Sequence, residues 1–296
     1  MTTNAAATAV PLSDALQRAA ARLARAGVPT PAVDAELLAG HLLGLGRGAL
    51  QAKAITGATL DAARAEEYER LVDRRAAREP LQHITGVAAF RSLELAVGPG
   101  VFVPRPETEH VAQLAIDALR AVPVEHPVAV DLGTGSGAIA LALATEVPHA
   151  SVVAVENSVD AFVWTKQNAQ TVGAANLRLV FTDLAEALPE LDGGVDVVVS
   201  NPPYIPDAAV PRDPEVQRFD PPAALYGGED GLDVVRAVSR TALRLLRPGG
   251  LVVIEHGDSQ GPEMAALLRA DGWTAVATHQ DLTRRDRATT GLAPLR

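Results

Sequence analysis

Four consecutive residues, Asn201-Pro202-Pro203-Tyr204, follow an apolar run that predicts a buried strand from Val195 to Ser200. The side-chain oxygen of Asn201 is a hydrogen-bond acceptor, and Pro202 keeps its carbonyl oxygen although it has no N–H group. Pro203 restricts Pro202 to an extended conformation, so these two acceptors are held rigidly and close together. Tyr204 adds a flat face on which a planar group can stack. The four residues therefore predict a site for a planar NH2 group that donates two hydrogens.

A bound NH2 group of this kind is suited to accept a methyl group from a sulfonium compound. The nitrogen becomes cationic as it is methylated, so its proton is lost without a strong base. The rate enhancement would come from positioning and preorganised electrostatics. We therefore predict Asn201, Pro202 and Tyr204 as catalytic residues, and Asn201, Pro202, Pro203 and Tyr204 as substrate-binding residues. The alternative is that these four residues form a proline-rich turn with a purely structural role.

A glycine-rich turn, Asp131–Gly137 (DLGTGSG), follows an earlier predicted strand. Glycines let the backbone approach a ligand closely, and in doubly wound sheets the ligand lies at the carboxyl ends of the strands. Glu156 ends the next predicted strand, where a carboxylate can accept hydrogen bonds from ribose hydroxyls. Gly133, Gly135 and Ala138 also satisfy the dinucleotide pattern G-x-G-x-x-(G/A), so the turn alone leaves NAD and other adenosyl cofactors open. Asp131 suits the ammonium group of a methionine moiety better than it suits a pyrophosphate.

The elements around these turns predict an α/β protein in two parts. Three helices are predicted between about Pro11 and Glu79: one capped by Ser13 or Asp14, one that begins after Thr30 and ends at Gly44, and one that ends before Pro80. A hairpin is predicted around Gly98-Pro99-Gly100. Apolar runs then alternate with helical patterns, which indicates a parallel, doubly wound sheet with an antiparallel final pair. The five parallel strands are predicted at Pro127–Gly133, Ser151–Asn157, Leu177–Asp183, Val195–Asn201 and Gly250–Gly257.

Composition narrows the class of protein further. The chain has 296 residues and no cysteine, which excludes disulfides and thiolate chemistry and suits a reducing cytoplasm. We expect no signal peptide and no membrane span. With 26 Lys and Arg against 36 Asp and Glu, the formal net charge of −10 disfavours direct nucleic-acid binding and suits a basic protein partner. The seven histidines show no metal-ligand spacing, so no metal is expected.

The chain resembles the amino-methyltransferases that carry an (N/D)-P-P-(Y/F/W) motif, and among them the peptide chain release factor glutamine methyltransferases. The resemblance covers nearly the whole chain. The segment FVPRPETE, upstream of the first strand, is much more specific than the glycine turn. The shared segments are PLQHITG (Pro80–Gly86), FVPRPETE (Phe102–Glu109), DLGTGSGAIALALA (Asp131–Ala144), SNPPYIP (Ser200–Pro206), PPAALYGGEDGLD (Pro221–Asp233) and RPGGLVVIEHG (Arg247–Gly257).

The resemblance implies a seven-stranded, Rossmann-like class I methyltransferase domain with a small all-α N-terminal domain. It implies methyl transfer from S-adenosyl-L-methionine to the side-chain amide of the glutamine in the Gly-Gly-Gln loop of class I release factors, with S-adenosyl-L-homocysteine as product. We expect a monomer, with residues 1–80 as a helical substrate-docking domain, 81–106 as a β-hairpin linker and 107–296 as the methyltransferase domain. The residues implied to contact the cofactor are Gly133, Thr134, Gly135, Ser136, Gly137, Glu156, Asp183, Leu184 and Asn201.

Two positions depart from the family pattern, and several functions stay open. Glu156 stands where relatives commonly have Asp, and Leu184 stands where an aromatic residue often flanks adenine. A glutamine of a large-subunit ribosomal protein is an alternative acceptor, and the exocyclic amine of a nucleobase is a more distant one. A binding protein without turnover and a dinucleotide-dependent oxidoreductase are the alternatives from other classes. The loop from Ile205 to about Gly231 is long enough to form a lid or a docking surface.

Overall fold

The computed structural model describes residues 9–295, and they form two compact units. The first unit runs to Gly86 and also includes Asp213–Phe219. The second comprises Val87–Arg212 and Asp220–Arg296. The chain thus enters the second unit at the start of a hairpin, whereas the expected limits of the linker, 81 and 106, remain predictions. No helix among the described residues is both long and apolar enough to cross a membrane.

The first unit is built from short amphipathic helices around a small apolar core. Its core includes Leu23, Leu38 and Leu50, together with Tyr68, whose hydroxyl donates a 2.8 Å hydrogen bond to the Ala35 carbonyl. A two-residue antiparallel pair accompanies the helices. In chain order the elements are β1 (Val10–Pro11), α1 (Leu12–Arg25), α2 (Pro31–Leu43), α3 (Arg47–Ile55), β2 (Thr59–Leu60), α4 (Ala62–Ala76) and α5 (Leu81–Thr85).

The ends of these helices test the capping predictions. Helix α2 follows Thr30 and ends at Gly44 in the left-handed conformation, as predicted. The cap predicted for α1 is wrong, because the helix already begins at Leu12, after Pro11, and this places Ser13 and Asp14 inside its first turn. Pro11 has no side-chain acceptor and cannot cap the helix, and the Leu12 N–H instead donates to the Ala58 carbonyl at 2.9 Å.

The second unit is built on a seven-stranded sheet, which confirms the predicted fold class. The strand order is β10-β11-β9-β8-β5-β6-β7, with β11 antiparallel to both of its neighbours, β10 and β9, and the other neighbouring pairs parallel. In chain order the elements are β3 (Val87–Phe90), β4 (Leu93–Ala96), α6 (Thr108–Ala121), β5 (Val128–Leu132), α7 (Ala138–Glu146), β6 (Ser151–Glu156), α8 (Val159–Val172), β7 (Leu177–Phe181), β8 (Val195–Ser200), α9 (Pro214–Phe219, in the first unit), α10 (Asp233–Leu245), β9 (Leu246–Glu255), α11 (Gly261–Ala270), β10 (Thr274–Gln280) and β11 (Asp286–Leu292).

Helices cover both faces of this sheet. Along β5, Ala129 packs with α6 and α7, while Val130 and Leu132 pack with α10 and α11 on the opposite face. A strand that is buried on both faces shows a continuous apolar run, which is why the sequence pattern predicted these strands.

The strand order reverses next to β5. The chain builds β6 and β7 on one side of β5 and then crosses to build β8 and β9 on the other. The Ser200 hydroxyl, at the end of β8, donates a 2.7 Å hydrogen bond to the Leu132 carbonyl at the end of β5. The glycine turn and Asn201 therefore leave the sheet at the same edge, where ligands bind in doubly wound folds.

The predicted hairpin exists, but its predicted turn is wrong. Strands β3 and β4 pair around Arg91 and Ser92, and the next regular element after Gly98-Pro99-Gly100 is helix α6, not a strand. These two glycines instead let the chain approach α8 closely. A Cβ on Gly98 would lie 2.6 Å from the Trp164 ring, and one on Gly100 would lie 2.8 Å from the Asp160 Cβ. At the true turn, Arg91 adopts a positive φ and its backbone N–H donates to Glu109.

A buried ion-pair cluster in the first unit holds the segment Asp213–Phe219. Glu215 accepts hydrogen bonds from Arg75 at 2.9 Å and from Arg78 at 2.7 and 2.6 Å. Arg75 also contacts Asp34 at 2.7 Å, and its side chain is only 7% exposed. Burial opposes ionisation of Glu215, but the hydrogen bonds from Arg78 and Arg75 outweigh it and hold the pKa of this carboxyl at about 2.

Replacing Glu215 by alanine is expected to destabilise the first unit by about 1.5–3 kcal/mol, because hydrogen bonds to charged groups are lost and Arg75 keeps only one carboxylate. Denaturant unfolding would measure the change, and amide hydrogen exchange of Asp213–Phe219 should rise. Glu66→Ala is the matched control: Glu66 pairs with Arg70 at 3.0 Å while 74% exposed, so the effect should stay within about 0.5 kcal/mol. Equal effects of the two substitutions would rule out the anchoring role of Glu215.

Candidate active site

The glycine turn after β5 is held by backbone and side-chain bonds that leave its inner surface open. The N–H groups of Gly133 and Thr134 both donate to the Val155 carbonyl at 2.9 Å. From α8, Thr165 donates to the Gly135 carbonyl at 2.5 Å, and Asn168 donates to the Ser136 carbonyl at 2.9 Å. A Cβ on Gly133 or Gly135 would meet no atom within 4 Å, and both residues have positive φ. The backbone of the turn at Gly133 and Gly135 is therefore not covered by any side chain in the described part of the chain.

Asp131 lies beneath this turn with one carboxylate oxygen unsatisfied. Its Oδ2 accepts bonds from the Thr134 hydroxyl at 2.6 Å and from the Ala140 N–H at 3.1 Å. Its Oδ1 is buried and has no hydrogen-bond partner among the described residues. Burial raises the pKa of Asp131 to about 7, against the two donors. A buried acceptor of this kind favours a positively charged ligand nearby.

Glu156 ends β6 beside the same turn, as predicted. Its carboxylate is buried and accepts backbone N–H bonds from Gly135 at 2.8 Å, Asn157 at 3.0 Å and Ser158 at 2.9 Å. A carboxylate has about four acceptor positions, so capacity for a hydroxyl donor remains. Glu156 thus ties the glycine turn to the end of β6, which the sequence did not indicate.

Asp183 and Leu184 follow β7 in a short 3-10 turn. The Asp183 carboxylate accepts from the Ala185 N–H at 2.9 Å and from the Asn157 side-chain amide at 3.2 Å, so it links the segments after β6 and β7. Leu184 is half-buried and packs on the apolar cluster between the sheet and helices α10 and α11. Their contact with a cofactor remains a prediction.

Asn201-Pro202-Pro203-Tyr204 leaves β8 one strand away from the glycine turn. The Asn201 amide nitrogen donates a 3.3 Å hydrogen bond to the Thr108 hydroxyl, which turns the Asn201 carbonyl oxygen away from Thr108. Pro202 is buried. The Tyr204 carbonyl accepts a 2.9 Å bond from Gln260, whose own side-chain oxygen accepts from the Gly257 N–H at 2.9 Å. The Asn201 side chain and the Tyr204 backbone are therefore each held by a hydrogen bond.

A second glycine-rich turn, Tyr226–Gly231, wraps around the motif. Ile205 bridges to Tyr226, and the Ile205 N–H donates to the Leu225 carbonyl at 2.9 Å. A Cβ on Gly227 would lie 2.6 Å from the Pro203 carbonyl oxygen, and one on Gly231 would lie 2.3 Å from the Tyr204 carbonyl oxygen. Part of the segment predicted as a lid or docking surface is therefore needed to support Pro203 and Tyr204.

Replacing Gly231 by alanine is expected to lower methyl-transfer turnover as well as stability. The positive φ costs about 1–2 kcal/mol, and the new Cβ also displaces the Tyr204 carbonyl. Gly173→Ala is the matched control, because Gly173 also has a positive φ, while its Cβ would meet nothing within 4 Å. Thermal unfolding should report a loss in both variants, and steady-state kinetics should report a loss only in Gly231→Ala. Equal turnover in the two variants would contradict the supporting role.

Buried polar groups lie behind Tyr204. Burial, followed by the charge of Glu255, raises the pKa of Tyr204, so its hydroxyl stays protonated. His256 is buried, and burial lowers its pKa. Its Nδ1 donates to the Gly257 carbonyl at 2.8 Å, which leaves Nε2 to accept from Thr289 at 2.9 Å. His256 is therefore committed to structural hydrogen bonds and offers no free base to the site.

The structure also adds residues that the motif analysis missed. Thr108 and Arg105 belong to the segment PRPETE: Thr108 contacts Asn201, and Arg105 pairs with the buried Asp220 at 2.5 Å. Glu255 could have been noticed, since it ends an apolar strand of the parallel sheet, as Glu156 does. Nothing in the sequence pointed to Gln260. Within residues 9–295, no three His, Asp or Glu side chains cluster as metal ligands would.

Comparison with known proteins agrees with this arrangement. Residues 14–86 match the family described as PrmC N-terminal domain, and residues 92–217 match the Methyltransferase small domain. A structure titled as a methyltransferase from Pyrococcus furiosus superimposes with a TM-score of 0.51 at 19% identity, covering 78% of this chain and 98% of that chain, which shows the fold alone.

Curated relatives cover almost the whole chain. The release factor glutamine methyltransferase of Streptomyces coelicolor is 54% identical over 275 residues, which are 92% of this chain and 95% of the relative. A 4-amino-L-phenylalanine/4-methylamino-L-phenylalanine methyltransferase of Streptomyces pristinaespiralis is 41% identical, covering 92% of each chain.

The parallel sheet, the glycine turn and the Asn-Pro-Pro-Tyr segment at the switch point together define a class I, S-adenosylmethionine-dependent methyltransferase. At this level of identity and coverage, the chain belongs to the release factor glutamine methyltransferase family.

Proposed function

We propose that the protein transfers a methyl group from S-adenosyl-L-methionine to the side-chain amide nitrogen of the glutamine in the Gly-Gly-Gln motif of class I peptide chain release factors. The observation that carries the proposal is the position of Asn201 and Pro202 after β8, at the switch point next to the open glycine turn, in a chain 54% identical to a release factor glutamine methyltransferase.

The residues around the glycine turn fit the cofactor. The open backbone at Gly133 and Gly135 accommodates a ligand without displacing side chains, and the unsatisfied Asp131 oxygen favours the ammonium group of the methionine moiety. Glu156 would accept from ribose hydroxyls, and Asp183 with Leu184 would border the adenine, with Thr134, Ser136, Gly137 and Asn201 completing the contacts. When bound, the cofactor supplies a methyl group attached to a positively charged sulfur.

The chain's own residues bind and orient the acceptor. The Asn201 side-chain oxygen and the Pro202 carbonyl accept the two hydrogens of the glutamine amide, which leaves the nitrogen lone pair free to face the methyl group, and the Tyr204 ring covers the flat amide. Because the nitrogen becomes cationic on methylation, its proton passes to solvent without a dedicated base.

Three other acceptors present the same planar NH2 group. They are a glutamine of a large-subunit ribosomal protein, the aromatic amine of 4-amino-L-phenylalanine, on which the Streptomyces pristinaespiralis relative acts by name, and a nucleobase. The net charge of −10 argues against a polyanion. We further propose that the helical domain docks the release factor and that the protein acts as a cytoplasmic monomer.

Label transfer from methyl-labelled S-adenosylmethionine tests the proposal. Four acceptors are compared: a class I release factor, its Gly-Gly-Gln to Gly-Gly-Ala variant, the ribosomal protein, and 4-amino-L-phenylalanine. Label in the unaltered release factor alone is the expected result. Label in the ribosomal protein or the small amine, and none in the release factor, would overturn the proposed acceptor while keeping the chemistry.

A further inference from the structure

Asn201 contacts the hydroxyl of Thr108, and this hydroxyl can donate its hydrogen to a second side chain. Thr108, the first residue of α6, is 4% exposed, and its Oγ1 accepts from the Asn201 amide nitrogen at 3.3 Å. The carboxyl group of Glu255, the last residue of β9, faces the same hydroxyl, which favours the ionised form of this carboxyl. Glu255 is 1% exposed, and its Oε2 has no partner among the described residues. The three side chains therefore form a buried chain from Glu255 to Asn201.

The order of donors along this chain determines which end of the amide faces the substrate. A hydroxyl carries a single hydrogen. An ionised Glu255 can only accept, so the Thr108 hydrogen must point to it, and Thr108 can then only accept from Asn201. Asn201 must in turn give its NH2 group to Thr108 and keep its carbonyl oxygen for the substrate. With the amide flipped, the site would offer a donor to a substrate NH2 group, and binding would fail.

We propose that Thr108 and Glu255 are positioning residues that hold the Asn201 side-chain oxygen towards the acceptor amide, and that this relay sets the preference for an NH2 donor over a carboxylate. The inference deepens the proposed function and rests on it for the identity of the acceptor. The relay itself is a property of three side chains and can be measured without any acceptor.

The charge on Glu255 gives the relay a pH dependence. Burial raises the pKa of Glu255 to about 8, against the Thr108 hydrogen bond and the charge of Arg287, and Glu107 adds to the rise. Tyr204, which stays protonated, also faces Glu255, and the pKa of His256, the next residue in the chain, is lowered by burial. A protonated Glu255 can donate to Thr108 and free the Thr108 hydrogen for the Asn201 oxygen. Turnover per bound substrate should therefore rise with pH through about 8.

Three variants test the relay in the full-length protein. Thr108→Val removes the hydroxyl at constant shape, Glu255→Gln removes the charge, and Thr108→Ser retains the hydroxyl as the rescue variant. For each, competitive binding to the S-adenosylhomocysteine complex, measured at a pH well above 8 so that Glu255 is ionised, compares a release factor with its Gly-Gly-Gln to Gly-Gly-Glu variant. We expect the preference for glutamine to fall by about 10-fold or more in Thr108→Val and Glu255→Gln and to persist in Thr108→Ser, while cofactor affinity stays unchanged in all three. The rise in turnover near pH 8 should vanish in Glu255→Gln.

A second readout needs no acceptor. Proton exchange of the Asn201 side-chain NH2, followed by NMR on nitrogen-labelled protein and assigned by its loss in Asn201→Ala, should be slow in the wild type and faster in Thr108→Val. Equal exchange in the two proteins, or an unchanged glutamine preference in Glu255→Gln, would refute the relay. A wild type that methylates no release factor but shows the slow exchange would refute the proposed acceptor and leave the relay supported. If Thr108→Val fails to fold, the relay is tested by two properties of Glu255→Gln: the pH profile of its turnover and its preference for glutamine.

Discussion

Replacing Asn201 by alanine is expected to lower methyl-transfer turnover by about 100-fold or more, the loss typical of removing one preorganised polar group from an active site. The substitution removes one of the two acceptors that hold the substrate amide, whereas the glycine turn, Asp131 and Glu156 stay in place. Cofactor binding, measured by calorimetry, should therefore change much less than turnover at saturating cofactor.

A structural asparagine provides the control for this prediction. Asn176 donates to the carbonyls of Ala144 and Ala150 at 3.1 and 2.9 Å, so Asn176→Ala should lower the melting temperature without a comparable loss of turnover. Near-normal turnover in Asn201→Ala would mean that the Asn201 amide does not hold the acceptor.

Replacing Asp131 by asparagine is expected to weaken cofactor binding by about 10-fold or more above neutral pH. The buried carboxylate is 1% exposed and acts through its charge on a cationic ligand at the glycine turn, and interactions with charged groups are worth about 1.5–3 kcal/mol. Asparagine can keep the bonds from Thr134 and Ala140 with its own oxygen, so the fold should survive.

The same residue predicts a pH dependence of cofactor affinity. The pKa of Asp131 is raised to about 7, so its charge is absent at lower pH and develops as the pH rises. Affinity should increase with pH, level off above about 7, and lose this dependence in Asp131→Asn. Asp196→Asn is the control, because Asp196 lies at the amino end of β8 and bonds the Val128 N–H at 2.8 Å, away from the turn. A flat pH profile in the wild type would contradict the role of Asp131.

Much of the fold could be predicted because its causes are local. Strands buried on both faces give continuous apolar runs, and alternation with helices restricts the sheet to a doubly wound order. That order brings the ends of β5 and β8 together, so Gly133 and Asn201 could be assigned to one edge before their positions were known. The resemblance to a family supplied the substrate, which no spacing of residues could give.

The wrong and missing predictions concern residues whose positions depend on contacts with distant parts of the chain. Gly98 and Gly100 have turn chemistry, yet they serve close packing on Trp164 and Asp160, and the hairpin turns at Arg91 instead. Glu215 lies in a segment predicted as a lid or a docking surface, but its partners Arg75 and Arg78 are far away in sequence. Thr108 and Glu255 meet Asn201 only because α6 begins, and β9 ends, at the same edge of the sheet.

The measurement that tests the central claim most directly is fragmentation mass spectrometry of a class I release factor, after incubation with the protein and S-adenosylmethionine that carries a deuterated methyl group. We predict one added deuterated methyl group, located on the side chain of the glutamine in the Gly-Gly-Gln motif, and a rate of labelling that is lower by about 100-fold or more with Asn201→Ala under the same conditions. A deuterated methyl group on any other residue, or consumption of the cofactor with the glutamine unmodified, would contradict the account.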